Sequence, residues 1–106
     1  MSIAETGIID AIGVDSLTNQ VVLTISDHLY WDSEHLLMLQ EKLNTYLGFV
    51  ESGELLSTYP NSQGREVLIN VVFKYPPDES GQDFLAKVHD IIEEAGMKFR
   101  YEVHAE

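Results

Sequence analysis

An α+β fold is predicted: a two-layer sandwich in which a four-stranded mixed sheet carries two helices on one face, in the order β-β-α-β-α-β. Three observations predict it. Four segments alternate apolar and polar residues with a period of two. Two longer segments repeat apolar residues at three- and four-residue spacing. Each pattern has one clearly apolar side, and elements of that kind become stable by packing those sides together, which makes two layers.

The text IIDAIGVD from Ile8 reads as the first strand and QVVLTISDH as the second, with Val21, Leu23 and Ile25 on one side and Val22, Thr24 and Ser26 on the other. Between them Asp15, Ser16, Thr18 and Asn19 bond readily to their own backbone and accept tight turns, so an antiparallel hairpin is expected. Asp32 is placed to cap a helix, with Trp31 before it and Leu36 beyond it as a hydrophobic staple. Leu36, Leu39, Leu43, Tyr46, Leu47 and Val50 then form a stripe that predicts a helix over about 33–51, stopped by Gly53. Ser52 can cap a short extra turn through Leu55 and Leu56, ended by Tyr59-Pro60 and followed by loop composition.

VLINVVFKY is the third strand, with Val67, Ile69, Val71, Phe73 and Tyr75 on one face and Leu68, Asn70, Val72 and Lys74 on the other. Pro76-Pro77 ends it. Asp78 or Ser80 can cap the second helix, whose apolar stripe is Phe84, Leu85, Val88, Ile91, Ile92 and Ala95, closed by Gly96. MKFRYEVH alternates as a last half-buried strand. Helical connections permit parallel pairing of the later strands, so the sheet is expected to be mixed. Strand order is not encoded in these patterns.

Composition bounds the functional classes. A chain of 106 residues, 44% hydrophobic, is expected to form one soluble domain over residues 1–106. With no cysteine, disulfide frameworks, thiolate metal sites and cysteine nucleophiles are excluded. The segment MSIAETGIIDAIG has no basic stretch leading into an apolar one, so no signal peptide is expected. No apolar run approaches the ~20 residues that span a bilayer, and a cytoplasmic location is the simplest reading. A formal net charge of -12 repels phosphate backbones and anionic lipid, which argues against nucleic-acid and membrane partners and leaves a basic protein partner electrostatically allowed.

The runs VVLTISDHLYW, HLLMLQEKLNTYLGFVESGEL and VLINVVFKYPP resemble a family of small bacterial domains known only as a domain of unknown function. The resemblance covers the chain from about Ile8 to Tyr101 and implies a bacterial, cytoplasmic setting. It carries no activity, cofactor or catalytic residue.

Two groups of residues carry candidate chemistry. Asp27, His28, Asp32 and His35, beside Ser26 and Glu34, gather two imidazoles and several carboxylates where the second strand leads into the first helix, and such side chains are ordinary divalent-metal ligands. Helix capping and the helix dipole call for the same acids. His89 and Glu93, one helical turn apart, match a solvated pair as well as half a metal site. No phosphate-binding loop or serine nucleophile motif is present, and no cofactor is expected.

A separate feature is the apolar set Val22, Leu68 and Val72, with Ile9 and Ala11, on the sheet face away from the helices. Solvated sheet faces are normally more polar than this. The 52–66 loop, through Tyr59, Asn61, Gln63 and Arg65, is a further contact region, or a plain connector. The preferred reading is a non-enzymatic protein-interaction module that self-associates through its sheet face, as a homodimer, or meets a basic protein. The alternative is a metal-binding protein or small metal-dependent enzyme using the His28–His35 segment.

Overall fold

The computed structural model describes residues 6–104. Its elements are the strands β1 (Ala11–Val14) and β2 (Val21–Asp27), the helices α1 (Ser33–Glu51) and α2 (Glu54–Thr58), a single 3-10 turn (Pro60–Ser62), the strand β3 (Val67–Phe73), the helix α3 (Glu79–Glu94) and the strand β4 (Lys98–Val103). The α+β order expected from the sequence is observed, with α2 as a third, short helix where one extra turn is predicted.

The sheet runs β1-β2-β3-β4. β1 and β2 pair antiparallel, β2 with β3 and β3 with β4 parallel, so the sheet is mixed. The hairpin turn forms as its residues dictate: Asp15 Oδ1 accepts from the Leu17 and Thr18 amides, and Asn19 takes a φ of 63°. Each parallel pair is joined through a helix, and both crossovers step the same way across the sheet. Crossovers of one hand that step the same way put their helices on the same face. The core accordingly joins Leu39, Leu43 and Tyr46 of α1 and Leu85, Val88 and Ile92 of α3 to Leu23, Ile25, Ile69, Val71 and Phe99 of the sheet.

Helix ends follow the expected chemistry. Asp32 caps α1 by accepting from the His35 amide at 2.8 Å, and Asp78, rather than Ser80, caps α3 by accepting from the Gly81 amide at 2.8 Å. At the far end of α3, Met97 N donates to Ile92 O and Gly96 N to Glu93 O, with Gly96 at a φ of 86°, which is a Schellman closure.

The helical stripes differ from expectation in two places. In α1 the residues buried are His35, Leu39, Lys42, Leu43 and Tyr46, while Leu36, Leu47 and Val50 are half-buried. Two polar side chains thus lie inside the stripe, and the helix is rotated to place them there. In α3, Gly81, Leu85, Val88 and Ile92 are buried, Ile91 is 57% exposed, and Ala95 is exposed.

Gly81 is small for a reason. A Cβ at this position would stand 2.7 Å from Trp31 Cε3 and 3.0 Å from Pro77 Cβ, and Trp31 Nε1 is itself held by Tyr75 O at 2.9 Å. Gly81→Ala should therefore lose about 1–2 kcal/mol in urea denaturation, overpacking outweighing the ~1 kcal/mol that alanine gains in a helix. An unchanged or raised midpoint would contradict that packing.

Candidate interaction face and buried polar pairs

Because both long helices cover one side of the sheet, the even-numbered residues of β2, β3 and β4 and the odd-numbered residues of β1 face the other side. Register places Gly13, Val22, Leu68 and Lys98 in one row across this face, Ala11, Thr24, Asn70 and Arg100 in the next, and Ser26, Val72 and Glu102 in the third. Val22 and Val72 are half-buried, and Leu68, flanked on both sides in its row, retains 6% exposure. Arg100 Nε donates to Asn70 Oδ1 at 3.2 Å, and Lys98 Nζ reaches Glu93 at the rim. Glu102 is the one carboxylate that the strands direct to this face, and it pairs with His104. At the margin Glu66 accepts from Gln20 Nε2 at 2.6 Å. Ile9, expected near this face, instead packs on the core beside α1.

The polar residues of the other layer form two buried groups. In the first, Lys42 Nζ donates to Asp10 Oδ1 at 2.8 Å and to Ile8 O at 2.7 Å. Asp10 Oδ2 accepts from the Ser26 amide at 3.0 Å. The Tyr46 hydroxyl accepts from the Asp10 amide at 2.8 Å and donates to Thr24 O at 2.6 Å. Burial pushes the Tyr46 phenol well above its ordinary pKa; the Asp10 amide works against this shift, and the charge of Asp10 adds to it.

In the second group His35 Nε2 meets Asp27 Oδ2 at 2.5 Å, and Asp27 Oδ1 accepts from the Leu29 amide at 3.1 Å. Trp31 lies over the imidazole with ring centroids 4.3 Å apart. His35 is 1% exposed, and its Nδ1 has no hydrogen-bond partner among the described residues. A carboxylate bonded to one imidazole nitrogen orients the ring, the arrangement found behind metal ligands and general bases.

The four residues expected to gather around a metal are dispersed as follows. Asp27 and His35 form the buried pair. Asp32 is exposed and spends Oδ1 on capping α1. His28 is exposed and lines a groove with Ser26, Asp27, Val72 and His104, whereas Asp32 and His35 line another. Among the described residues no three His, Asp or Glu side chains converge to hold a metal ion. On α3, His89 lies 3.5 Å from Asp90 and 3.6 Å from Glu93 at the surface. In the 52–66 loop, Arg65 bonds Asn61 O and Asn19 O and so ties the loop to the hairpin turn. Among the described residues no helix is long and apolar enough to cross a membrane.

The chain matches the profile of DUF6572, described as a family of unknown function, over residues 1–105. It belongs to that family. No curated protein and no solved structure matches it.

In this family member the Asp10–Lys42–Tyr46 group has no counterpart among the sequence-predicted sites. Its signal is helical geometry: Lys42 lies seven residues from His35, three from Leu39 and four before Tyr46, on the inward side of α1. The partner, Asp10, lies far off in sequence and carries no pattern that marks it as buried.

Two outcomes follow from this group. Lys42→Met strands the Asp10 carboxylate in the interior and should cost about 3–5 kcal/mol. Asp10→Asn combined with Lys42→Met should cost clearly less than the sum of the two single changes, which a double-mutant cycle in urea measures. Simple additivity would mean the pair is not coupled.

The raised Tyr46 pKa means that the folded state holds this proton more tightly than the unfolded state. The stability it contributes is complete below the unfolded value near ~10 and is lost as pH rises beyond it. Thermal unfolding between pH 9 and 11 should therefore show a steeper fall in Tm for the wild type than for Tyr46→Phe. Equal slopes would remove Tyr46 as the cause.

Proposed function

We propose that this protein is a non-enzymatic interaction module that pairs with a second copy of itself through the open face of its sheet. The observation that carries the reading is the charge and apolar distribution over that face: Val22, Leu68 and Val72 on its two central strands, with Lys98 and Arg100 against the single strand carboxylate Glu102. Two copies that each carry a net charge of -12 repel one another at long range, so a stable contact between them needs a surface where acids are scarce. The helical layer does not meet that condition, since α3 alone carries Glu79, Asp83, Asp90, Glu93 and Glu94 against Lys87. The sheet face meets it, with Val22 and Val72 half-buried in the rows on either side of Thr24 and Asn70. A two-fold contact places the same patch on both sides.

Sedimentation velocity on the full chain across a salt series tests this. A dimer is expected, and its affinity should rise from low to physiological salt, because salt screens the net repulsion while leaving apolar contact intact. Val22→Glu combined with Val72→Glu, with an unchanged far-ultraviolet circular dichroism spectrum, should give a monomer. A wild type that stays monomeric at every salt concentration, or a doubly substituted chain that still dimerises, overturns the proposal.

A further inference from the structure

We infer that the pocket at the N-terminal end of α1 binds a primary ammonium group carried on a short aliphatic chain. The pocket encloses about 230 Å³ and is walled by Leu29, Tyr30, Asp32, Glu34, His35 and Met38. That is below the ~300–1,000 Å³ of sites that enclose a drug-sized ligand, so it takes one narrow head group. Asp32 and Glu34 bring two carboxylates into the wall, and no lysine or arginine stands there to answer them. Asp32 spends Oδ1 on the His35 amide, whereas Glu34 makes no hydrogen bond or ion pair among the described residues. No residue of the open sheet face lines the pocket, and the site is independent of the pairing of copies.

Acids at the start of a helix are ordinary; a buried nitrogen beside them is what calls for a ligand. His35 belongs to the same wall, is 1% exposed, and its Nδ1 has no hydrogen-bond partner among the described residues. Asp27 holds Nε2 and Trp31 covers the ring, yet neither is part of the wall, so the pocket meets the imidazole away from both contacts. A buried polar atom of this kind is destabilising until a partner reaches it. In the neutral ring with its proton on Nε2, toward Asp27, Nδ1 is an acceptor and a donor completes it. The two carboxylates select a donor that is also a cation, and a tyrosine ring face such as that of Tyr30 attracts the same charge. Leu29 and Met38 supply an apolar lining for an alkyl chain. A primary ammonium meets all three demands at once, with N–H donors, a compact positive charge and a thin aliphatic stem. A quaternary ammonium has the charge but no donor. A metal ion is not the occupant, since no three ligating side chains converge among the described residues. A free alkylamine and the end of a lysine side chain present the same group.

Calorimetric titration of the full chain at neutral pH provides the test, with the fluorescence of Trp31, the single tryptophan, as a second signal beside the His35 ring. The probes are butylammonium, the lysine side chain as its N-acetyl N-methylamide, butyltrimethylammonium and butyrate. Saturable binding of the first two is expected, at least tenfold tighter than butyltrimethylammonium, with none for butyrate. Tighter binding of butylammonium assigns the site to free amines, and tighter binding of the lysine derivative assigns it to a protein side chain; both uphold the ammonium site. Glu34→Gln, at an exposed position, should weaken butylammonium binding at least threefold with an unchanged far-ultraviolet circular dichroism spectrum. On saturation the nitrogen-15 resonance of His35 Nδ1 should move while the ring resonances of His28, His89 and His104 stay in place. Val22→Glu with Val72→Glu should bind as the wild type does. No saturable binding of either primary ammonium, equal affinity for butyltrimethylammonium, undiminished binding by the Glu34→Gln chain, or an unmoved His35 resonance would each overturn the inference.

Discussion

Two strands that lie parallel cannot be joined by a tight turn; the chain must cross over one face of the sheet, and it does so with a preferred hand. Here that constraint acts twice in the same direction, through α1 from β2 to β3 and through α3 from β3 to β4. Both helices consequently lie on one face, and the other face is left to solvent or a partner. The apolar core, the open sheet face and the groove between α1 and α3 are all consequences of this one topological fact. An alternating direction of crossover would have covered both faces and removed two of the three.

The rotation of α1 over the sheet is determined by polar contacts as well as apolar ones. His35 reaches Asp27 at the end of β2, Lys42 reaches Asp10 just before β1, and Tyr46 reaches Thr24 O in the middle of β2. These three residues lie at i, i+7 and i+11 on one side of the helix. Net gain from a buried ion pair is small, because desolvation offsets most of the attraction, yet leaving either partner alone is costly. The arrangement therefore discriminates strongly against any rotation or slip of α1. With Lys42 and His35 turned inward, Leu47 packs at the edge of the core, half-buried beside the groove toward α3.

Charge is partitioned between the two layers. The helices carry most of the acids in view, whereas the strands direct Lys98 and Arg100 with one carboxylate to the open face. One molecule thereby presents two surfaces of different electrostatic character. Net charge alone would have suggested a uniformly repulsive particle.

Periodicity and punctuation by themselves determined the elements: the hairpin turn at Asp15–Asn19, the Asp32 cap, the glycine stops and the two-layer packing are all local consequences of residue type and spacing. They are legible because a cap or a turn is a contact between near neighbours. Strand order, the turning of Lys42 toward Asp10, the pairing of Asp27 with His35 apart from His28, and the exposure of Ile91 were decided only by the tertiary structure. Each depends on which distant residues meet, and a stripe of leucines that marks a buried side does not say how far round the helix burial extends. A lysine and an aspartate 32 residues apart read as surface charges until the fold sets one against the other, where water cannot reach to solvate either alone.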